Sequence, residues 1–237
     1  MAGPPLEKLQ ELIGYRFREP KLLLEALTHS SFVNETSDGS RDNERMEFLG
    51  DAILNFVVCV RLTDVFPQCE EGKLTLARAK LIAAPHLSEV AARLGVGEYL
   101  RLGPGEQNTG GQFKPRLRVN ALEALIAALY RDGGLQVAWE FVEKYIMPSD
   151  ILGSAEELFL MDYKTTLQEH LSAERHVPAE YRVVDEIGPQ HQKMFTVEVT
   201  AGKNLAARGR GVIKKAAEQQ AARALLDQLG KKTEIDG

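Results

Sequence analysis

The sequence predicts two domains of different fold class: a larger all-α domain, followed by a small α+β domain with the element order α-β-β-β-α. As far as about Met147, apolar residues recur at helical spacing. Beyond about residue 160, three short stretches alternate between apolar and polar residues, as strands do. The 237 residues are enough for one medium and one small domain. We therefore predict a multi-domain protein with domains at residues 5–148 and 161–231 and a linker at 149–160.

The helical segments of the N-terminal domain are bounded by glycines and prolines, which stop helices. In chain order they are LEKLQELIG, EPKLLLEALTH, NERMEFLGDAILNFVVCV, LTLARAKLIAAPHLSEVAARLG, RLRVNALEALIAALYRDGG and LQVAWEFVEKYI. The glycine-rich segment 102–115, LGPGEQNTGGQFKP, is predicted to be an exposed loop. A loop that cradles phosphate would need a preceding strand and a Gly-Lys-Ser/Thr ending, and this segment has neither.

The C-terminal domain begins with the helical segment DYKTTLQEHLSAE. YRVVDEI, KMFTVEVTA and NLAARGRG then show the alternation of strands, and VIKKAAEQQAARALLDQLG reads as an alanine-rich helix. Three short strands between two helices predict a small α+β domain.

Charge and composition exclude several classes of protein. The net charge of −5 by itself argues against a nucleic-acid partner, but from Asp162 onward 12 Lys and Arg stand against 11 Asp and Glu, compared with 17 against 23 before it. No stretch approaches the roughly 18 apolar residues of a membrane span, and the N-terminus does not resemble a signal peptide. Cys59 and Cys69 lack metal-binding spacing. We expect reduced thiols in a cytoplasmic protein that has no membrane partner.

The segment NERMEFLGDAIL places three carboxylates within an otherwise apolar helix. A helix advances about 100° per residue, so Glu44, Glu47 and Asp51 share one stripe that covers about one sixth of its circumference. Apolar residues surround this stripe and continue through ILNFVVCV, which predicts a helix enclosed on every side. Isolated buried carboxylates are costly unless a cation or hydrogen-bond donors meet them. The pattern therefore predicts a positive partner for these acids.

A second apolar segment, VNALEALIAALY, carries Asn120 and Glu123 three residues apart on one helix face. Oxygen ligands with no His or Cys nearby favour magnesium, with manganese as a substitute, over zinc. Together the two segments predict a cluster of four or five oxygen ligands for a divalent ion. A di-iron site is disfavoured because it would require Glu-x-x-His pairs on helices.

At NERMEFLGDAIL the sequence resembles the signature of bacterial ribonuclease III. The resemblance continues in LTHSSFVNE before this segment and in ALEALIAALYRDGG after it. The tail resembles a double-stranded RNA-binding domain, most clearly at GPQHQKMF and KKAAEQQAA. The resemblance implies an all-α ribonuclease III catalytic domain followed by a small α+β RNA-binding domain. The expected activity is magnesium-dependent hydrolysis of double-stranded RNA, leaving 5′-phosphate and 3′-hydroxyl ends, by a homodimer joined through the catalytic domains. The expected cellular role is processing of ribosomal and messenger RNA.

The resemblance also implies roles for individual acids. Glu47 and Glu123 match metal-binding positions, and Asp51 and Glu123 match catalytic positions. From these matches we predict that Glu47, Asp51 and Glu123 hold the magnesium ion, and that Asn120 is a further ligand or orients one of its waters. Glu44 matches a further acid of the signature, which we include among the catalytic residues. Glu71, in FPQCEEGKL, aligns with another acid of the family's catalytic valley.

Asn120 departs from the family pattern, which most often has aspartate three residues before the second glutamate. An amide oxygen can bind magnesium but brings no charge, so weaker metal affinity is expected. A protein that keeps the fold and binds duplex RNA without cutting it, or cuts it weakly, is the alternative function. A structural alternative is an ion-pair network in which Arg45 or another base neutralises the acids.

The C-terminal domain carries the expected RNA contacts. Five bases and no acid lie between Lys203 and Lys215, and the last helix begins near two of these bases, where its positive end favours phosphate. Short polar side chains on one face of the first tail helix suit the 2′-hydroxyls of the RNA minor groove, although alone they would suit a solvated face equally. His191 matches a residue with which the resembling domain reaches an adjacent minor groove. The predicted RNA-binding residues are Thr165, Gln168, Glu169, Ser172, His191, Arg208, Lys214 and Lys215.

Overall fold

The chain divides into two units, Met1–Ser154 and Ala155–Gly237. The structure, a computed structural model, describes residues 4–36, 39–159, 163–174, 177–188, 193–202 and 205–233. The division after Ser154 falls within segment 149–160, for which the sequence predicts a linker.

The regular secondary structure among the described residues of the first unit is helical, apart from an isolated bridge between Thr28 and Arg101. Its helices are α1 (Leu6–Ile13), α2 (Pro20–Ala26), α3 (Ser30–Thr36), α4 (Glu44–Val65), α5 (Glu71–Leu81), α6 (Ala84–Arg93), α7 (Pro104–Asn108), α8 (Pro115–Gly133) and α9 (Leu135–Tyr145). Two 3₁₀ turns, Val96–Tyr99 and Gly111–Phe113, lie among them. The predicted all-α class of this domain is confirmed.

Helix α8 lies at the centre of the first unit, where it packs against α2, α4, α6 and α9. Leu122, Leu125 and Leu129 recur at helical spacing and are buried. The alanines between them are buried as well, which lets neighbouring helices approach α8 from several sides. Each buried leucine contributes about 1.5–3 kcal/mol from apolar burial. The core therefore fixes the orientation of α8 against α4.

Two predictions for this unit need correction. The segment LTLARAKLIAAPHLSEVAARLG forms two helices, because α5 ends at Leu81 and α6 begins at Ala84. Pro85 lies in the first turn of α6, where its missing N–H costs no helical hydrogen bond. The segment 102–115 is not simply an exposed loop, because it contains α7 and a 3₁₀ turn. Its Gly103 amide donates a hydrogen bond to Ser31 Oγ at 3.0 Å, which ties it to α3.

Asp132, near the end of α8, holds the chain that leads into α2. Its carboxylate accepts hydrogen bonds from the Tyr15 hydroxyl at 2.7 Å and from the backbone amides of Arg18 and Glu19, both at 2.9 Å. Burial alone would raise the pKa of Asp132, but these hydrogen bonds stabilise the charged form, and the net effect lowers the pKa.

The second unit contains α10 (Ala155–Phe159), α11 (Tyr163–Ala173), β1 (Glu180–Ile187), β2 (Met194–Ala201), β3 (Leu205–Gly211) and α12 (Lys214–Thr233). The strands form one antiparallel sheet in the order β1-β2-β3. Inward residues of the sheet pack on α11 and α12 around a core that includes Leu167, Val197, Val199 and Leu225. The predicted order α-β-β-β-α is confirmed. The predicted linker is partly helical, since α10 lies within it.

Two glycines of β3 allow this strand to contact α12 directly. A Cβ atom on Gly209 would lie 2.1 Å from the Ala221 nitrogen, and one on Gly211 would lie 2.6 Å from the Ala217 nitrogen. The alternation in NLAARGRG therefore places Gly209 and Gly211 where the strand comes closest to α12.

Neither cysteine forms a disulfide, and both side chains are half-buried. Within the described part of the chain, no helix has the length and apolar character needed to cross a lipid bilayer.

Candidate functional site

Helices α4 and α8 cross in close contact at Gly50. A Cβ atom on Gly50 would lie 1.7 Å from the carbonyl oxygen of Glu123, far inside van der Waals contact. Glycine at this position therefore permits a backbone approach that any other residue would prevent. Gly50 stands between Glu47 and Asp51 in the sequence, so the crossing brings the acids of α4 close to Glu123.

A cavity of about 820 Å³ is lined by residues of both helices at this crossing. Its lining includes the catalytic and metal-binding residues predicted from the two helices, namely Glu44, Glu47, Asp51, Asn120 and Glu123. The other lining residues are His29, Ser30, Phe48, Glu106, Lys114, Arg116 and Leu117. The cavity is therefore lined by five acids, which are Glu44, Glu47, Asp51, Glu106 and Glu123.

The carboxyl group of Glu123 has the most perturbed environment in the cavity. Burial first, and then the negative charges of Asp51 and Glu47, raise its pKa to about 7. A carboxyl group whose charged form is disfavoured in this way is stabilised by any cation that enters the cavity. The strong perturbation, within a cavity, marks Glu123 as a candidate functional residue.

The pKa of Glu47 is also raised, and burial is again the main cause. The charges of Glu44 and Asp51 add to this effect, whereas the guanidinium of Arg116 and a hydrogen bond with Asn120 oppose it. Asn120 therefore already contacts one of the acids with which it was predicted to act.

Helix α4 is not enclosed on every side in this chain, so that prediction was wrong. Glu44 and Asp51 are exposed, and Glu47 is half-buried. Phe48 and Phe56 on the same helix are 82% and 49% exposed. The apolar residues of α4 are spread around its circumference, but the fold covers only the face that packs on its neighbours. The acids therefore line an open cavity instead of lying within the core.

The alternative of a permanent ion-pair network is not supported by the residues that the structure describes. Arg45 is exposed and does not line the cavity. Arg116 influences Glu47 electrostatically, but it forms no ion pair with a cavity acid within the described residues. Asp51 accepts a hydrogen bond from Asn55 Nδ2 at 3.0 Å, which is a neutral partner.

The donor types around the cavity fit magnesium, because carboxylate and amide oxygens are its preferred protein ligands. In the described part of the chain, no group of three or more His, Cys, Asp or Glu side chains is arranged so that it could hold a metal ion. Like-charged carboxylates repel each other when no cation lies between them. An ion held by Glu47, Asp51 and Glu123 would therefore have to draw their side chains together.

The segment 102–115 contributes functional candidates that the sequence reasoning missed. Glu106 lines the cavity, and Lys114 Nζ donates to its Oε1 at 2.6 Å and to Thr109 Oγ1 at 3.0 Å. The Lys114 ammonium lowers the pKa of Glu106. The signal that could have located these residues is the mixture of charged residues among the glycines, in a segment that directly precedes the helix of Glu123.

His29 lines the cavity, and Ser31 holds its ring. The Ser31 backbone amide donates to His29 Nδ1 at 3.2 Å, so Nδ1 is the acceptor in this contact. Ser31 Oγ lies 2.9 Å from the same Nδ1. Both contacts hold the ring in place at the edge of the cavity.

In the second unit, Thr165, Glu169 and Ser172 are exposed on α11, as the sequence predicted for a contact surface. Gln168 is half-buried because its Oε1 accepts a hydrogen bond from the Ala179 amide at 3.2 Å. The first three side chains are therefore accessible to a ligand, whereas Gln168 also positions the chain before β1.

The basic residues of this unit lie on two different surfaces. Lys214 and Lys215 are exposed in the first turn of α12, as predicted. Arg208 alternates with the inward residues of β3 and donates from Nε to Glu198 Oε1 at 2.8 Å. Arg208 thus lies on the sheet face that points away from α11 and α12. His191 lies outside the described residues.

Two family models match the chain. One, described as Ribonuclease-III-like, matches residues 19–150, and the other, described as Double-stranded RNA binding motif, matches residues 163–229. The chain belongs to the ribonuclease III family. The resemblance seen at NERMEFLGDAIL and in the tail is therefore confirmed.

Several ribonuclease III relatives are similar over most of the chain. Ribonuclease 3 of Solibacter usitatus is 42% identical over 96% of this chain and 88% of its own length. Ribonuclease 3 of Listeria welshimeri is 41% identical over 94% of this chain and 97% of its own length. The nuclease domain of ribonuclease III from Campylobacter jejuni has 37% identity and a TM-score of 0.56, covering 60% of this chain and 96% of that one.

Glu71, which aligns with an acid of the ribonuclease III catalytic valley, does not line the cavity of this chain. It begins α5, and its Oε1 accepts a hydrogen bond from Thr75 at 2.8 Å. Its described hydrogen bond is therefore a local one within α5, and the proposed match of Glu71 to the catalytic valley stays a prediction.

Proposed function

We propose that this protein is a magnesium-dependent endoribonuclease that hydrolyses phosphodiester bonds of double-stranded RNA. The observation that carries the proposal is the arrangement of acids from α4 and of Asn120 and Glu123 from α8 around one cavity. A matched double-stranded RNA-binding motif in the same chain supports duplex RNA as the substrate. Relatives named Ribonuclease 3 support hydrolysis as the activity.

Glu47, Asp51 and Glu123 would hold the magnesium ion, for which manganese would substitute, and Asn120 would act as a further oxygen donor. Such an ion, when bound, lowers the pKa of a water and stabilises the charge that develops on the attacked phosphate and on the leaving oxygen. The protein supplies the rigid framework for this chemistry. The contact at Gly50 fixes α4 against α8, and the hydrogen bond from Asn120 orients Glu47. Glu44 adds negative charge beside these acids and completes the proposed catalytic group.

The proposed products carry 5′-phosphate and 3′-hydroxyl ends. The proposed cellular work is maturation of ribosomal RNA precursors and processing of messenger RNA in the cytoplasm. The second unit would bind the duplex by its shape, with little sequence preference and strong salt dependence. Thr165, Glu169, Ser172, Lys214 and Lys215 are the described side chains that support this contact.

A homodimer through the first unit is part of the proposal. Phe48 and Phe56 expose large aromatic surfaces on α4, and exposed apolar surface of this kind favours a protein contact. Phe56 also contacts Trp139 of α9, a half-buried residue, with ring centroids 6.4 Å apart. The Campylobacter jejuni nuclease domain is described as having a region involved in dimer formation.

The test is cleavage of a labelled RNA duplex by the full chain, with magnesium and, separately, with calcium. We expect shorter duplex products only with magnesium, and loss of cleavage in the Asp51→Asn and Glu123→Gln variants. Asp64→Asn is the matched control, because Asp64 is an exposed acid of the same helix that does not line the cavity. Cleavage that persists in both active-site variants would remove these residues from the reaction.

The alternative function, binding of duplex RNA without cleavage, is favoured by Asn120, which brings no charge to the proposed metal site. The same experiment separates the two functions. RNA that is retained intact by the wild-type protein with either metal ion would support the binding protein and exclude the nuclease.

A further inference from the structure

The acids of the cavity would repel the phosphates of an RNA substrate, and the proposed metal ion alone does not offset all of this negative charge. The cavity lining carries five carboxylates, Glu44, Glu47, Asp51, Glu106 and Glu123. The substrate of the proposed function is itself a polyanion, with one negative charge for each phosphate. RNA phosphates near these acids need cationic side chains of the protein to offset the repulsion. Lys114 and Arg116 are the Lys or Arg side chains of the lining.

These two bases differ in what they already contact. Lys114 is held by Glu106 at 2.6 Å and by Thr109 at 3.0 Å, so its charge is largely compensated within the protein. Arg116 is exposed, and within the described residues it forms no hydrogen bond or ion pair. Its guanidinium is close enough to Glu47 to act on it electrostatically. Arg116 is therefore the base of the cavity that remains available to an incoming anion.

Helix stability does not explain an arginine at this position. Arg116 follows Pro115 in the first turn of α8, and no acid occurs in that turn. The N-terminal end of a helix carries partial positive charge, so acids are favoured there and cations are disfavoured. The positive charge of Arg116 therefore lies next to the positive end of the helix, which is unfavourable for the helix. Both the guanidinium and this helix end would attract a phosphate group.

We propose that Arg116 is a substrate-binding residue, whose guanidinium binds a phosphate group of the RNA strand that enters the cavity. The planar guanidinium presents two parallel N–H donors to phosphate oxygens and remains charged at every physiological pH. Arg116 lies four residues before Asn120 and thus on the same face of α8. The phosphate that it binds would therefore lie next to the phosphodiester bond held among the acids. This assignment rests on the proposed function of the cavity.

The test compares Arg116→Gln and Arg116→Lys with Arg131→Gln in the full chain. Arg131 is the matched control, because it is an exposed arginine of the same helix at the opposite end, away from the cavity. Three measurements use one labelled RNA duplex. They are KM and kcat for cleavage with magnesium, affinity with calcium over a range of salt concentrations, and the magnesium concentration that gives half-maximal cleavage. Thermal unfolding of each variant checks the fold.

We expect Arg116→Gln to raise KM about tenfold and to reduce the slope of log affinity against log salt concentration by about 1, as for one lost phosphate contact. Arg116→Lys should have the wild-type salt slope, because it keeps the charge. Its KM should lie between those of the wild type and Arg116→Gln, because lysine lacks the paired donors. Arg131→Gln should change neither KM nor the salt slope. The Tm of Arg116→Gln should equal or slightly exceed that of the wild type, because the change removes a cation from a helix N-terminus.

Two results would overturn the proposal. The first is a KM and a salt slope for Arg116→Gln that equal those of Arg131→Gln. The second is an unchanged affinity with a changed magnesium concentration at half-maximal cleavage, which would show that Arg116 acts on Glu47 instead of on RNA. If the wild type binds the duplex but does not cut it, the proposed nuclease function fails, and the salt slope alone still decides the role of Arg116.

Discussion

Substitution of Gly50 by alanine tests whether the helix crossing builds the site. The added Cβ atom would lie 1.7 Å from the Glu123 carbonyl oxygen and 2.5 Å from its carbon, and these are backbone atoms that cannot rotate away. Real Cβ contacts are essentially never shorter than 3.0 Å, so the backbones of α4 and α8 must separate by about 1.3 Å, the difference between 3.0 Å and 1.7 Å. The acids on either side of residue 50 must move with them.

The expected cost follows from this displacement. Overpacking of a close-packed contact costs about 1–3 kcal/mol. Alanine gains about 0.5–1 kcal/mol over glycine in a helix, which offsets only part of that cost. A net loss of about 1–2 kcal/mol lowers the Tm of a domain of this size by roughly 2–8 °C. For the proposed nuclease, a shift of about 1 Å in the ligands around Glu123 should lower cleavage by about a hundredfold.

Thermal unfolding and cleavage of labelled duplex RNA measure the two effects. Gly72→Ala is the matched control, because Gly72 lies in α5 and a Cβ atom there meets nothing within 4 Å. The control should be neutral or slightly stabilising and should cut at the wild-type rate. If Gly50→Ala matches Gly72→Ala in both Tm and cleavage, the two helices do not make the close contact on which the site depends.

Three further predictions concern a carboxylate of the fold, a metal ligand and the RNA-binding unit. Asp132→Asn should destabilise the first unit by about 1 kcal/mol at pH 7, after allowance for solvent exposure. The pKa of Asp132 is lowered in the folded state, so the stability difference between the wild type and this variant should be complete above the ordinary carboxyl pKa of 3.8. The difference should vanish as the pH falls below the folded-state pKa of Asp132. Denaturant unfolding at several pH values measures it. Asn120→Asp should lower the magnesium concentration for half-maximal cleavage, and an unchanged value in a titration would exclude position 120 as a ligand. Replacing Lys214 and Lys215 together by Gln should weaken duplex binding equally for unrelated sequences and reduce the salt slope by about 2, whereas a sequence-dependent loss would contradict phosphate binding.

Much of the site could be predicted because it depends on local spacing. Glu44, Glu47 and Asp51 fall on one stripe through helical geometry alone, and Asn120 and Glu123 do so on another helix. Apolar runs on both helices indicated that they would pack together. Neither argument required knowledge of the tertiary structure, and the cavity lining contains all five side chains.

The rest depends on contacts between distant segments, which spacing does not encode. The exposure of Phe48 could not be predicted, because an apolar residue within an apolar run is normally assigned to the core. The role of Gly50 was equally hidden, since a single glycine inside a helix is tolerated for many reasons. Arg116 was read as part of a helix start, and its position beside Glu47 emerges only when α4 and α8 are brought together.

The charges around the cavity explain how the proposed metal site and the proposed RNA contact could share it. Each added acid would strengthen the hold on a divalent cation, and each would also repel the phosphates of the substrate. Asn120 keeps an oxygen donor beside Glu47 while it adds no negative charge. Arg116, four residues earlier on the same face of α8, adds a positive charge to the lining of the cavity. Both residues make the cavity less negative than a full set of acids would, which weakens the expected metal affinity and favours entry of RNA. The net charge of −5 therefore says little about the partner, because the charge that decides binding is set by a few side chains at the mouth of one cavity and at the start of α12.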